Sequence, residues 1–132
     1  MSANEDAVSP QVWLARAKSN LALARAGQHI AGVYLEDLCF EAQQAAEKAF
    51  KALCIYHDLD FQKTHSLANL MDILEAGGVS LPVDISKAAV LTQYAVRTRY
   101  PGMIEPITRS EYDAALDLAV KVTEWVEKAL QQ

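Results

Sequence analysis

Three groups of side chains have the types and spacing to hold or transform a ligand. The first is Tyr94, Arg97, Arg99 and Tyr100, followed by the turn Pro101-Gly102. Arginine offers five N–H donors in a rigid fork that matches phosphate, and tyrosine offers a stacking face and a hydroxyl, so this set can hold a nucleotide or an RNA phosphate. A purely structural account also exists: arginines near a helix C-terminus complement its negative pole, and tyrosines pack with their tips in water. The second group is Lys63, Thr64 and His65, at a point where a helix N-terminus would present N–H groups to an anion. The third is His57, Asp58, Asp60 and His65, residue types that ligate divalent metals. Its two histidines do not stand at i,i+4 on one helix and half the group lies in a loop, so a solvated helix end explains it and no metal site is assigned.

Other chemistries are excluded more firmly. There is no G-x-G-x-x-G, no G-x-x-x-x-G-K-[ST] and no G-x-S-x-G, and the glycines at 27, 32, 77, 78 and 102 are scattered. Cys39 and Cys54 lie on one helical segment, where 15 residues of separation is about 22 Å of rise, beyond disulfide reach. They read as small buried hydrophobes in a reducing compartment. His29 reads as structural or solvated, and Trp13 and Trp125 read as core or dimer-contact residues. The net charge of −5 argues against a broad cationic surface gripping many phosphates, while leaving room for a local basic patch.

These side chains must be positioned by helices. Ser9-Pro10 is a helix start, with serine as N-cap and proline in the first turn, and the stretch to about Ala26 carries Leu14, Ala17, Leu21 and Ala24 on one stripe before Gly27. A second helix from near Tyr34 to near His57 repeats apolar residues at Leu35, Leu38, Ala42, Ala45, Ala49, Ala52 and Tyr56. Cys39, Ala46, Phe50 and Leu53 widen that stripe. Glu36, Asp37, Gln43, Gln44, Glu47, Lys48 and Lys51 fill the remaining, polar face of this amphipathic helix, with Glu47 and Lys51 as an i,i+4 pair worth a few tenths of a kcal/mol. A short helix from about His65 to Ala76 follows, capped by Thr64 and ended by Gly77-Gly78. Pro82 opens a fourth helix that runs toward Arg99 and stops before Pro101. Thr108 and Glu111 have capping-box spacing, and the last helix extends to about Leu130 with Tyr112, Ala115, Ala119, Val122 and Val126 inward. No period-2 strand pattern competes.

The architecture expected is all-α: an antiparallel up-and-down four-helix bundle with an additional short helix, formed by one domain over residues 10–130 behind a flexible lead at 1–9. The lead has no apolar core of a signal peptide and no apolar run approaches a membrane span, so a cytoplasmic protein is expected. Val90, Leu91, Tyr94 and Val96 put apolar surface on more than one side of the fourth helix, as a homodimer would require.

The segments AAEKAFKALCIYHDLDF, KTHSLANLMDIL and LTQYAVRTRYPG, in this order, resemble the HEPN family of small helical proteins. The most specific parts are Ala46 to Leu53, Thr64 to Leu67 and Arg99 to Pro101. The resemblance implies the same bundle, a dimer, frequent association with a minimal nucleotidyltransferase, and nucleotide or RNA binding. It also implies, for many members, metal-independent ribonuclease activity through an Arg-x4-6-His motif. Here the windows after Arg97 and Arg99 read Gly, Met, Ile, Glu and Pro over positions 102 to 106, with no imidazole for acid–base work. The reading favoured by these facts is a non-catalytic dimeric module with no catalytic residue, metal or cofactor assigned. It binds a nucleotide or phosphate anion through Arg97, Arg99, Tyr100, Lys63 and His65, or partners a nucleotidyltransferase in a toxin–antitoxin-like pair. The alternative is an atypical ribonuclease in which His65 or His57 supplies the imidazole.

Overall fold

The computed structural model describes residues 9–97 and 106–132. Among these, six α-helices and two 3₁₀ segments carry the fold, and there is no strand. Helix α1 spans Pro10–Ala26, with the Ser9 hydroxyl accepting from Val12 N and Pro10 opening the first turn, as its sequence signals require. Ala17 and Ala24 are buried on its inner stripe, and Leu14 and Leu21 pack half-buried beside them. A 3₁₀ turn, Gly27–His29, ends it.

Helix α2, Leu35–Tyr56, is the axis of the molecule, with 13 of its 22 residues buried. Its small residues Ala42, Ala45, Ala46, Ala49 and Ala52 are fully covered, which lets neighbouring helices approach on several sides. Helix α6, Arg109–Ala129, is capped by the Thr108 hydroxyl accepting from Glu111 N at 3.0 Å, and buries Tyr112, Ala115, Ala119, Val122 and Val126. Trp13 and Trp125 pack against the core rather than standing out as ligand platforms.

Side-chain pairings fix the directions. Lys48 Nζ donates to Asn20 Oδ1 and Lys51 lies over Trp13, so α1 runs antiparallel to α2. The Tyr112 hydroxyl donates to the Ala24 carbonyl, and Lys18 pairs with Glu127, so α1 is antiparallel to α6 as well. Glu36 accepts from Ile107 N, and the Tyr56 hydroxyl donates to the Gln132 carbonyl at the other end, so α2 and α6 are parallel. The segment from Asp84 to Tyr94 is antiparallel to α6, since the Tyr94 hydroxyl donates to Glu111 Oε2 at 2.8 Å near the start of α6 while the Asp84 charge acts on Lys121 farther along it. The result is the up-and-down bundle, with α3, Leu67–Ala76, as the additional short helix.

Three expectations are corrected. The short helix starts at Leu67, with Ser66 as its cap, its hydroxyl accepting from Asn69 N at 3.2 Å. Thr64 instead accepts from Ser66 N at 3.0 Å, and His65 stays outside the helix because its ring and carbonyl are both engaged by α2. The fourth helix is not continuous: α4 is Val83–Ser86, a 3₁₀ stretch covers Lys87–Thr92, and α5 is Gln93–Arg97. Its inward residues Ile85, Ala88, Leu91 and Tyr94 recur every third position, which lines up on one face of a 3₁₀ helix and drifts around an α-helix. Finally, Gln43, Glu47 and Lys51 are not solvent-facing; all three are buried.

Candidate functional site

The buried polar stripe of α2 is where chemistry can gather. Gln43, Glu47 and Lys51 succeed each other at i, i+4 and i+8, one above the next on a single helical face. That face is covered by the loop joining α2 to α3, which climbs back beside α2 and brings His65 to the level of Glu47. His65 Nδ1 lies 2.9 Å from Glu47 Oε1, and Gln43 Nε2 donates to the same oxygen at 3.0 Å and to the His65 carbonyl at 3.3 Å. Lys51 Nζ donates to Glu47 Oε2 at 2.9 Å. The lysine head is flanked by Trp13 and Phe61, with ring centroids 5.7 and 5.6 Å away.

Burial on its own pushes the Glu47 carboxyl up. Hydrogen bonds from Lys51, Gln43 and His65, with the Lys51 charge, outweigh it and hold the group below its ordinary value, so it is an anion at neutral pH. A permanent carboxylate on Nδ1 orients the imidazole and leaves Nε2 as the ring nitrogen for a ligand. The His65 side chain is 45% exposed, whereas that of Glu47 is 5% exposed, so the orienting group is inside and the oriented one faces out. Carboxylate-held imidazoles of this kind serve as proton-transfer groups or, protonated, as donors to oxyanions. Cys54, near Lys51, does not join in: burial pushes its thiol up to about 12, which keeps it protonated.

Beside the pair, an open cavity of about 650 Å³ is lined by Lys63 and Thr64, by Asp60 and Phe61 of the same loop, and by Asn69 and Asp72 of α3. Lys63 and His65 therefore belong to one loop, with Lys63 at the cavity and His65 turned to Glu47. The α3 N-terminus itself is largely occupied: Leu67 N donates to Thr92 Oγ1 and Asn69 N to Ser66 Oγ. The fold separates the suggested metal group. His57 stacks edge-on against Tyr56 at the end of α2, while His65 sits at Glu47, ten residues back along that helix or about 15 Å of rise. Among the described residues no cluster of three or more His, Cys, Asp or Glu is placed to hold a metal ion. Arg97 ends α5, and Arg99 and Tyr100 lie outside the described residues.

The family model for the HEPN domain matches residues 10–129. The chain belongs to the HEPN domain family. Two solved structures resemble this HEPN chain along nearly its whole length. TT1696 from Thermus thermophilus superposes with a TM-score of 0.78 at 37% identity, covering 90% of this chain and 96% of that one. ST0689, an archaeal HEPN homologue, gives 0.72 at 27% identity, over 93% and 98%. No curated protein matches the chain. No helix among the described residues is long and apolar enough to cross a membrane.

Within this HEPN chain the last of the three histidines is His65, so no imidazole follows Arg97, Arg99 or Arg109. The imidazole of the candidate site comes from the loop before α3 instead. Sequence reasoning singled out His65 and Lys63 but missed Glu47, Gln43 and Lys51 as site residues. The signal for them was their i, i+4, i+8 spacing with apolar residues on both sides, which leaves a polar stripe no room to reach bulk water on a central helix.

Proposed function

We propose that this HEPN module binds a nucleotide-type phosphate at the face carrying Lys63 and His65, with Arg97, Arg99 and Tyr100 completing the site, as a homodimer that partners a minimal nucleotidyltransferase. The observation that carries the binding reading is the Glu47–His65 pair. A buried carboxylate on Nδ1 aims Nε2 outward, and in the imidazolium form Nε2–H donates to a phosphate oxygen, with Lys63 adding charge on the same loop. Support for a dimer comes from the fourth segment. Leu91 and Tyr94 are consumed by the chain's own core, but Val83, Val90 and Val96 remain 72%, 57% and 60% exposed.

Isothermal titration of the purified protein with ATP and other nucleotides tests the binding reading. Saturable binding, weakened tenfold or more in both His65→Ala and Lys63→Ala, is the expected result, and no heat at millimolar ligand removes it. Light scattering showing a strict monomer removes the dimer, and a pulldown that recovers no nucleotidyltransferase removes the partner. The Glu47–His65 geometry also favours a second reading, an atypical metal-independent ribonuclease with His65 as the proton-transfer group. That reading expects RNA cleavage in EDTA that disappears in His65→Ala and Arg99→Ala, and it fails if RNA stays intact over hours.

A further inference from the structure

The open cavity beside His65 has walls of two origins. Asn69, Asp72 and Ile73 stand at i, i+3 and i+4 on α3, on the side opposite the buried Leu67, Leu70, Met71 and Leu74. The facing wall is the α2–α3 loop, which contributes Asp60, Phe61 and Lys63. Asp60, Lys63 and Asp72 therefore share one cavity of about 650 Å³, yet among the described residues no ion pair joins the lysine to either carboxylate. The side chains of Asp60, Lys63, Asn69 and Asp72 make no hydrogen bond to any described residue either. Opposite charges kept apart in one cavity leave their hydrogen-bonding capacity to a third group set between them. Phe61, whose ring centroid lies 5.6 Å from Lys51 Nζ, and Ile73 add apolar surface to the same space.

We propose that this cavity holds the ribonucleoside part of the ligand, with ribose hydroxyls donating to Asp60 and Asp72, so that the module selects ribonucleotides over 2′-deoxyribonucleotides. The inference rests on the nucleotide reading of the His65 face. Two carboxylates against one ammonium make the interior net negative, so a phosphate lodged between them meets like charge, whereas a neutral diol does not. The phosphate therefore stays by Lys63 and His65, and the sugar turns inward. An ionised carboxylate only accepts, and a hydrogen bond to it is roughly twice as strong as one between neutral groups. A vicinal diol supplies O–H donors for that acceptor, the pairing by which acidic side chains hold ribose in dinucleotide folds. Phe61 and Ile73 leave apolar wall for the base, and the volume lies inside the range of about 300–1,000 Å³ usual for small-molecule sites.

The test titrates ATP and 2′-dATP by calorimetry, at constant ionic strength, into the unaltered protein, the double variant Asp60→Asn/Asp72→Asn and Lys63→Ala. Both aspartates are exposed, so the double variant spares the core. Expected in the unaltered protein is a preference for ATP of roughly tenfold or more, the size of one hydrogen bond to an ionised group. The preference falls below about twofold in the double variant, which binds 2′-dATP at least as tightly as before. Lys63→Ala weakens both ligands together and leaves the preference in place. Equal affinity for the two nucleotides in the unaltered protein overturns the inference while the nucleotide reading stands. A preference undiminished in the double variant overturns the role of the carboxylates, and loss of both ligands there overturns the assignment to the ribose hydroxyls. No saturation with either nucleotide at millimolar concentration removes the nucleotide reading and this inference with it.

Discussion

Replacing Glu47 by leucine is the sharpest test of the buried network. The carboxylate contacts Lys51 and His65 at 2.9 Å each and Gln43 at 3.0 Å, and the Lys51 side chain is only 9% exposed. Breaking one partner of a buried ion pair costs about 3–5 kcal/mol, because the remaining charge stays in a poorly solvated place. Two effects soften this: a lysine can bend its head toward water, and aromatic faces hold a cation by about 0.5–1 kcal/mol each. The expected loss is therefore about 3 kcal/mol, or a fall in Tm of roughly 10 °C for a chain of this length. The double variant Glu47→Leu/Lys51→Met removes both charges at similar volume and should recover most of the loss. Urea unfolding followed by circular dichroism at pH 7 measures all three proteins. A single-variant loss under about 1 kcal/mol, or a double variant no more stable than the single, would refute the claim that the stripe is buried and mutually satisfied.

Two further outcomes rest on particular groups. Because the folded Glu47 carboxyl sits below its ordinary value of 4.5, its contribution is present above that pH and is lost as pH falls through the folded value. The difference in urea midpoint between the protein and Glu47→Gln should accordingly be widest above about pH 5 and narrow below 4.5, and a pH-independent difference contradicts the assignment. At Gly27 an added Cβ would run into the side chain of the buried Leu38, so Gly27→Ala should destabilise by about 1–3 kcal/mol in the same assay. A neutral or stabilising result would mean that the α1–α2 turn is looser than the contact implies.

Much of the bundle was legible because its helix ends carry local signals. Ser9-Pro10 and Thr108 with Glu111 act within one turn, so α1 and α6 begin where those residues indicate. The α3 start was misplaced by two residues because Thr64 and Ser66 are equally good caps in isolation. Only the pull of Glu47 and Gln43 on His65, a contact across 18 and 22 positions of sequence, selects the second. The polar stripe of α2 was misread for the same reason. Amphipathic reasoning assigns one face to water, whereas a helix flanked by α1, α6 and the α2–α3 loop has little such face. The site was half visible, through His65 and Lys63, because imidazole and lysine are recognisable one at a time. The carboxylate that orients the histidine is defined only by the path of the loop.

The 3₁₀ stretch Lys87–Thr92 also sets the bearing of α5. A 3₁₀ helix advances about 2.0 Å and turns 120° per residue, against about 1.5 Å and 100° in an α-helix. Over these six residues the difference accumulates to about 3 Å of length and about 120° of rotation. Were the segment to rewind as an α-helix, α5 would be drawn back and swung a third of a turn, carrying the backbone of Arg97 to another compass point. The winding of six residues thus acts as a vernier between the packed end of the bundle and the end of α5.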